Sequence, residues 1–306
     1  MKNYTLNIAG YKIRFEASAG ITDLTPSQRF LRYISHNTGY DVNICIHSGS
    51  FNLPGKAERV FHAPFAEEIN GILIHHKTNF WSVWKHNSQL YIMTIFPRSV
   101  PVRNAVLKFS LSEKEWDLWI EGDGKNIDPF DYPLDGLILY YLTVINGDIM
   151  IHAAGVNNAG HGYLFSGVSG KGKSTMSVLW DNWGAKVIHD DRLIIRRTGD
   201  GYRMFNTPVY NNEDPCESPL NSIFIIDHGI ENRLILLKEA SAVSHVIANC
   251  IQHNWSTDII SRILESVSDM CRTIPVFRLS FRPDRSVINY ILKNKELPEE
   301  SYERKN

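Results

Sequence analysis

The sequence lacks any apolar run long enough to span a bilayer, and it lacks an excess of either charge. Across 306 residues, 32 lysines and arginines are balanced by 33 aspartates and glutamates, a net charge of −1. That balance gives no reason to expect a nucleic acid or an anionic membrane as partner. Cysteine is scarce as well. Cys45, Cys216, Cys250 and Cys271 stand far apart, and no two form a CxxC pair. Neither a disulfide framework nor a thiolate zinc site is expected, and a reduced compartment fits better. The opening MKNYTLNIAGYKIRFEA alternates polar and apolar residues where a signal peptide would be continuously apolar. A cytoplasmic protein is the expectation.

What is present changes character along the chain. Up to about residue 120, short alternating runs dominate: Tyr11–Phe15, Val42–His47, Ile72–His75, Asn79–Lys85, Gln89–Ile95, Ala105–Leu111 and Trp116–Ile120. His86-Asn87-Ser88 reads as a hairpin turn, and Thr25–Ile34 as a helix. This pattern predicts a mainly antiparallel β module over residues 1–125. Trp81, Trp84, Trp116 and Trp119 suggest a binding face. Within each strand, however, the pair is an odd number of residues apart and points to opposite faces, so aromatic packing is the better reading.

The stretch Gly122–Pro133, rich in Gly, Asp and Pro, marks a boundary. A second domain, 126–306, opens with a buried helix over Pro133–Asn146, stopped by Gly147. Strands follow at Ile149–Val156 and Tyr163–Ser166. A helix from Lys173 to Trp183 ends at Gly184, and a further strand covers Ala185–His189. Strands are also predicted at Ser222–Asp227 and Val276–Phe281, and helices at Ala240–Cys250, Ile259–Met270 and Arg285–Lys293. The charged tail Lys295–Asn306 is expected to be loose. The fold class is α/β in this domain and α+β overall.

The strongest motif is Gly167-Val-Ser-Gly-Lys-Gly-Lys-Ser174, followed by Thr175, a full match to the phosphate-loop pattern. Gly167, Gly170 and Gly172 allow positive φ and close backbone approach, so that successive N–H groups, with those of Ser169 and Lys171, converge on one anion. The helix beginning at Lys173 adds its positive dipole end. Lys173 can reach terminal phosphates, and the Ser174 hydroxyl can ligate Mg²⁺. A buried strand before the loop and a helix after it supply the context the motif requires.

A second motif, Val187-Ile188-His189-Asp190-Asp191, follows the next strand. In a βαβ unit the two strands run parallel, so the loop and the two acids leave the sheet at one edge. One acid can hold Mg²⁺ while the other accepts a proton from an attacking hydroxyl, and crowding tends to raise one of the two pKa values. Alone, an Asp-Asp turn would be a solvated loop. Opposite a complete phosphate loop it points to phosphoryl chemistry. His152, in an otherwise apolar strand, is on its own chemistry more often a satisfied core residue than a catalyst, although its strand adjoins the one feeding the loop.

Taken together, Ile151–Ile195 resembles the HPr kinase/phosphorylase family, in which a histidine, a phosphate loop and an Asp-Asp pair follow in this order. The loop and acid pair are also similar, more distantly, to those of phosphoenolpyruvate carboxykinase. The phrases Asn206-Thr-Pro-Val, Glu231-Asn-Arg-Leu and Ile274-Pro-Val-Phe-Arg-Leu-Ser-Phe resemble HPr-kinase-like proteins outside sugar regulation. The resemblance implies Asp190 as general base, Asp191 as metal ligand and His152 as a phosphate- or metal-facing partner. It also implies ATP (or pyrophosphate) with Mg²⁺, a hydroxyl acceptor on a protein, peptide or small molecule, and a homo-oligomer. The family's glycine-rich signature loop is missing, and an acidic stretch, Thr207–Ser218, stands in its place. Arg192, Arg233 and Arg272 are candidates for a charge-stabilising arginine. The alternatives are a nucleotide-binding regulator with little catalysis and a carboxykinase-like enzyme.

Overall fold

The computed structural model describes residues 1–69, 72–97, 102–208 and 213–294, with the backbone alone for 64–79. The chain divides into two compact units. The first comprises Met1–Asn146 with the segments Tyr210–Pro215 and His253–Thr257, and the second contains the remainder.

The first unit is built on nine strands: β1 (Asn3–Ile8), β2 (Tyr11–Ala17), β3 (Ile34–Ser35), β4 (Val42–Ser48), β5 (Glu58–Ile69), β6 (Ile72–His86), β7 (Gln89–Phe96), β8 (Arg103–Phe109) and β9 (Glu115–Ile120). They lie in the order β3-β1-β2-β4-β9-β8-β7-β6-β5. Pairing is antiparallel except where β4 runs parallel to both β2 and β9. Alternation places Phe15, Ile44, Ile46, Leu107, Trp116 and Leu118 in the core, each of which contributes about 1.5–3 kcal/mol by burial. The tryptophans pack locally, as expected. Trp116 lies against Phe109, Trp119 against Phe51 and His47, Trp81 against Phe61, and Trp84 beneath Arg59. Thr25–Ile34 is not an α-helix. Pro26 and Ser27 are non-helical, and only a 3₁₀ segment, Gln28–Tyr33, forms.

The boundary between units falls at Asn146/Gly147 rather than at 125/126, because helix α1 (Leu134–Asn146) belongs with the first unit. Buried Arg29 donates to Asp135 at 2.8 Å, and Tyr141 packs on Phe109. Gly147 ends the helix at φ 68°, a conformation glycine adopts without strain.

The second unit contains β10 (Ile149–Asn158), β11 (His161–Ser166), α2 (Lys173–Trp183), β12 (Lys186–His189), β13 (Arg192–Thr198), β14 (Gly201–Asn206), β15 (Glu217–Pro219), β16 (Ser222–His228), β17 (Arg233–Leu237), α3 (Glu239–Ile247), α4 (Thr257–Thr273), β18 (Val276–Phe281) and α5 (Ser286–Asn294). The sheet order is β15-β14-β13-β10-β11-β16-β18-β17, with β12 also paired to β10. Met176 and Trp180 of α2 and Val287, Ile288 and Ile291 of α5 share one core with Phe165, Phe224 and Phe277 of the strands. The expected tail Lys295–Asn306 and the centre of the 207–218 stretch lie outside the described residues. Among the described residues, no helix is long and apolar enough to cross a membrane.

The Arg29–Asp135 pair yields a stability prediction. Both side chains are 7% exposed. Asp135→Asn removes the nearer and more buried of the two carboxylates beside this guanidinium, the other being Asp131 at 3.7 Å, and urea unfolding should register a loss of about 1–3 kcal/mol. A loss below about 1 kcal/mol would show that the pair contributes little to the first unit.

Candidate functional site

The site forms around the middle of β10. On one side β11 runs antiparallel to it, with Ala153 opposite Ser166. On the other side β12 pairs with Gly155–Asn157 and β13 with Ile149–His152, both antiparallel. Strands β11 and β12 therefore run parallel to each other with β10 between them. Gly167 leaves β11, and Asp190-Asp191 leave β12, at the same edge. Ala153 joins the two departures, because its N–H donates to the Asp191 carbonyl at 2.9 Å.

The phosphate-loop sequence turns as its glycines allow. Gly170 (φ 80°) and Gly172 (φ 96°) are left-handed, and Gly172 caps the first turn of α2. A Cβ on Gly172 would approach Phe281 to 2.7 Å, and one on Gly167 would approach the Ile226 carbonyl to 2.9 Å. Val168, Ser169, Gly170 and Ser174 are exposed, and Lys171 and Thr175 are partly so. Lys173 is buried. Its ammonium donates to the Gly167 carbonyl at 2.7 Å, within its own loop. Burial lowers its pKa, and the nearby Asp191 charge opposes that shift.

Across the edge, His152 Nδ1 lies 3.1 Å from Asp191 Oδ1. The His152 hydrogen bond, followed by the Arg192 and His152 charges, holds Asp191 below the usual carboxylate range despite its partial burial. Ser166 Oγ donates to the His152 carbonyl at 2.9 Å and ties the end of β11 to the same residue. His189 is buried, and burial lowers its pKa. His161, expected in the turn, is the exposed first residue of β11.

The candidate arginines separate. Arg192 is 3.7 Å from Asp191, whereas Arg272 pairs with Asp269 at the end of α4 and Arg233 begins β17. Sequence reasoning missed a third set of groups at this edge, from β16 and β18. Asp227 accepts a hydrogen bond from Lys171 at 2.9 Å, and His228 Nε2 lies 3.1 Å from the Gly170 carbonyl. Arg278, exposed on β18, lines a cleft of about 460 Å³ together with Gly167, Lys171, Asp227, His245 and Asn249. The parallel register of β11, β16 and β18 brings these residues to the loop, and no local motif marks them. A larger cavity of about 970 Å³, between α3, α4 and β18, includes no phosphate-loop residue.

The donor set suits a magnesium polyphosphate. Ser174 and the two aspartates offer hard oxygen ligands, and a buried ammonium bonded to the Gly167 and Val168 carbonyls lies beside the start of α2.

The geometry also predicts a pH dependence. Asp191 has a depressed folded-state pKa, so its stabilisation is present above the unfolded value and is lost as pH falls through the folded one. His152→Ala should destabilise the protein at pH 7. The gap in urea midpoint between variant and parent should close as pH falls through the folded-state pKa of Asp191, which lies below the usual carboxylate range. A gap independent of pH would contradict the pairing.

No family model matches the chain, and no curated protein matches it in sequence. Among solved structures, it is similar to the Hpr(Ser) kinase/phosphatase from Coxiella burnetii, at 10% identity and a TM-score of 0.29, over 48% of this chain and 95% of that one. A likeness of that size does not decide the activity of this chain, and the functional reading rests on the site itself.

Proposed function

We propose that the chain is an ATP- and Mg²⁺-dependent kinase that transfers a phosphoryl group to a hydroxyl. The observation that carries this reading is the convergence on β10 of a complete phosphate loop and two adjacent aspartates, one of them fixed by His152.

Each residue then has a task. The loop amides from Gly167 to Ser174, including those of Ser169, Gly170, Lys171 and Gly172, receive the phosphates at the positive end of α2. Thr175 belongs to the same first turn of α2. Lys173 exchanges its carbonyl partner for phosphate oxygen and offsets negative charge there. Ser174 and Asp191 would hold Mg²⁺, which when bound neutralises part of the phosphate charge. His152 keeps Asp191 ionised and oriented. Asp190 accepts the proton of the attacking hydroxyl.

A pure nucleotide-binding regulator would need one metal-holding acid and no base. Kinetics on full-length variants separates the two readings. Lys173→Ala should lose at least about 100-fold in ATP-dependent phosphorylation. Asp190→Asn should bind nucleotide like the parent while turnover falls by about 10²–10⁴-fold. Nucleotide binding without any phosphotransfer, across a panel of serine peptides and sugars, would favour the regulator. Normal turnover by Asp190→Asn would remove the general-base assignment.

A further inference from the structure

The first unit carries a second cluster of ligand-type side chains, independent of the phosphate loop. Cys45 and His47 are two residues apart on β4, so both project from the same face of the sheet. Asp117 on β9 stands directly opposite Cys45 in the parallel register. The thiol, imidazole and carboxylate ligand atoms of these three residues lie within 4.8 Å of one another. All three are partly exposed, while their neighbours Ile44, Ile46 and Leu118 are buried on the opposite face. No CxxC spacing announces the group, because two separate strands bring its members together.

We propose that Cys45, His47 and Asp117 bind a borderline-soft divalent cation, with Zn²⁺ as the best match. A thiolate, an imidazole and a carboxylate are the three ligand types zinc takes, whereas Mg²⁺ and Ca²⁺ take oxygen alone. The surroundings fit this assignment. His47 Nε2 already lies 2.9 Å from Asp117 Oδ1, and its ring is stacked on Trp119 with centroids 4.7 Å apart, which fixes its orientation. Lys108 Nζ lies 3.5 Å from the other Asp117 oxygen and holds that carboxylate in place. Glu16 stands opposite Cys45 on β2, so that Glu16, Cys45, Asp117 and Lys108 form one row across four strands. A water completes a tetrahedral set. Burial and the charges of Asp117, Glu16 and Glu115 keep the Cys45 thiol protonated without metal. A bound cation reverses that field, the thiol proton passes to solvent, and the metal–sulfur bond forms without any change of oxidation state.

Cobalt(II) titration of the full chain under reducing conditions tests the proposal, because a thiolate–cobalt charge-transfer band reports sulfur ligation directly. The parent should show that band with one equivalent of Co²⁺, and Zn²⁺ should abolish it. Cys45→Ser should lose the band, and His47→Ala and Asp117→Asn should each weaken Co²⁺ binding at least about tenfold, with circular dichroism unchanged. Release of one proton makes the affinity rise about tenfold per pH unit. Cys216→Ser and Lys173→Ala should retain the band, so the outcome is separate from that of the kinase reading. Absence of the band in the parent, or its persistence in Cys45→Ser, overturns the proposal. In that case His47 and Asp117 are a surface hydrogen-bonded pair only.

Discussion

Strand β10 is the constraint on which the candidate site depends. It holds β11 on one side and β12 with β13 on the other, all antiparallel to it. Two segments distant from each other in the chain must therefore leave the sheet at the same level, beside Ala153. If one neighbour reversed direction, the glycine-rich loop and the paired acids would lie at opposite ends of the sheet. The same strand carries His152, one residue before that junction, where it meets Asp191.

Electrostatics explain why this edge suits an anion together with a cation. Lys173 is a buried ammonium held by its own loop's carbonyl groups. Those dipoles are a weaker partner than phosphate oxygen, and burial already lowers the lysine pKa. Asp191 shows the complementary behaviour, a partly buried carboxylate kept ionised by His152 and Arg192. Separated charges of this kind are reconciled when a polyphosphate and its metal lie between them. The Lys171–Asp227 pair is a counterpart on the other flank of the loop, where it ties the loop to β16.

The local signals were legible in the sequence. Glycine spacing, an alternating strand and a following helix identify Gly167–Ser174, and α2 spans Lys173–Trp183 as read. The parallel relation of β11 to β12 follows from the helical crossover that joins the two strands of a βαβ unit. Information carried by long-range register was not legible. Asp227, His228 and Arg278 reach the loop only through the pairing of β11, β16 and β18, and Arg278 was passed over for Arg192, Arg233 and Arg272. Helix α1 groups with the first unit through Arg29 and Phe109, partners far away in sequence that the composition of Gly122–Pro133 does not reveal. The Cys45–His47–Asp117 group shows the same limit, since sequence spacing argued against any thiolate metal site.

The most direct test of the central claim is a crystal structure of the full chain with a non-hydrolysable ATP analogue and Mg²⁺. The account predicts terminal phosphates on the amides of residues 167–174, with Lys173 Nζ moved from the Gly167 carbonyl onto phosphate oxygen. The metal should lie between Ser174 and Asp191, and Asp190 should be free to face an acceptor. Phosphates bound elsewhere, with Lys173 still on Gly167, would contradict it.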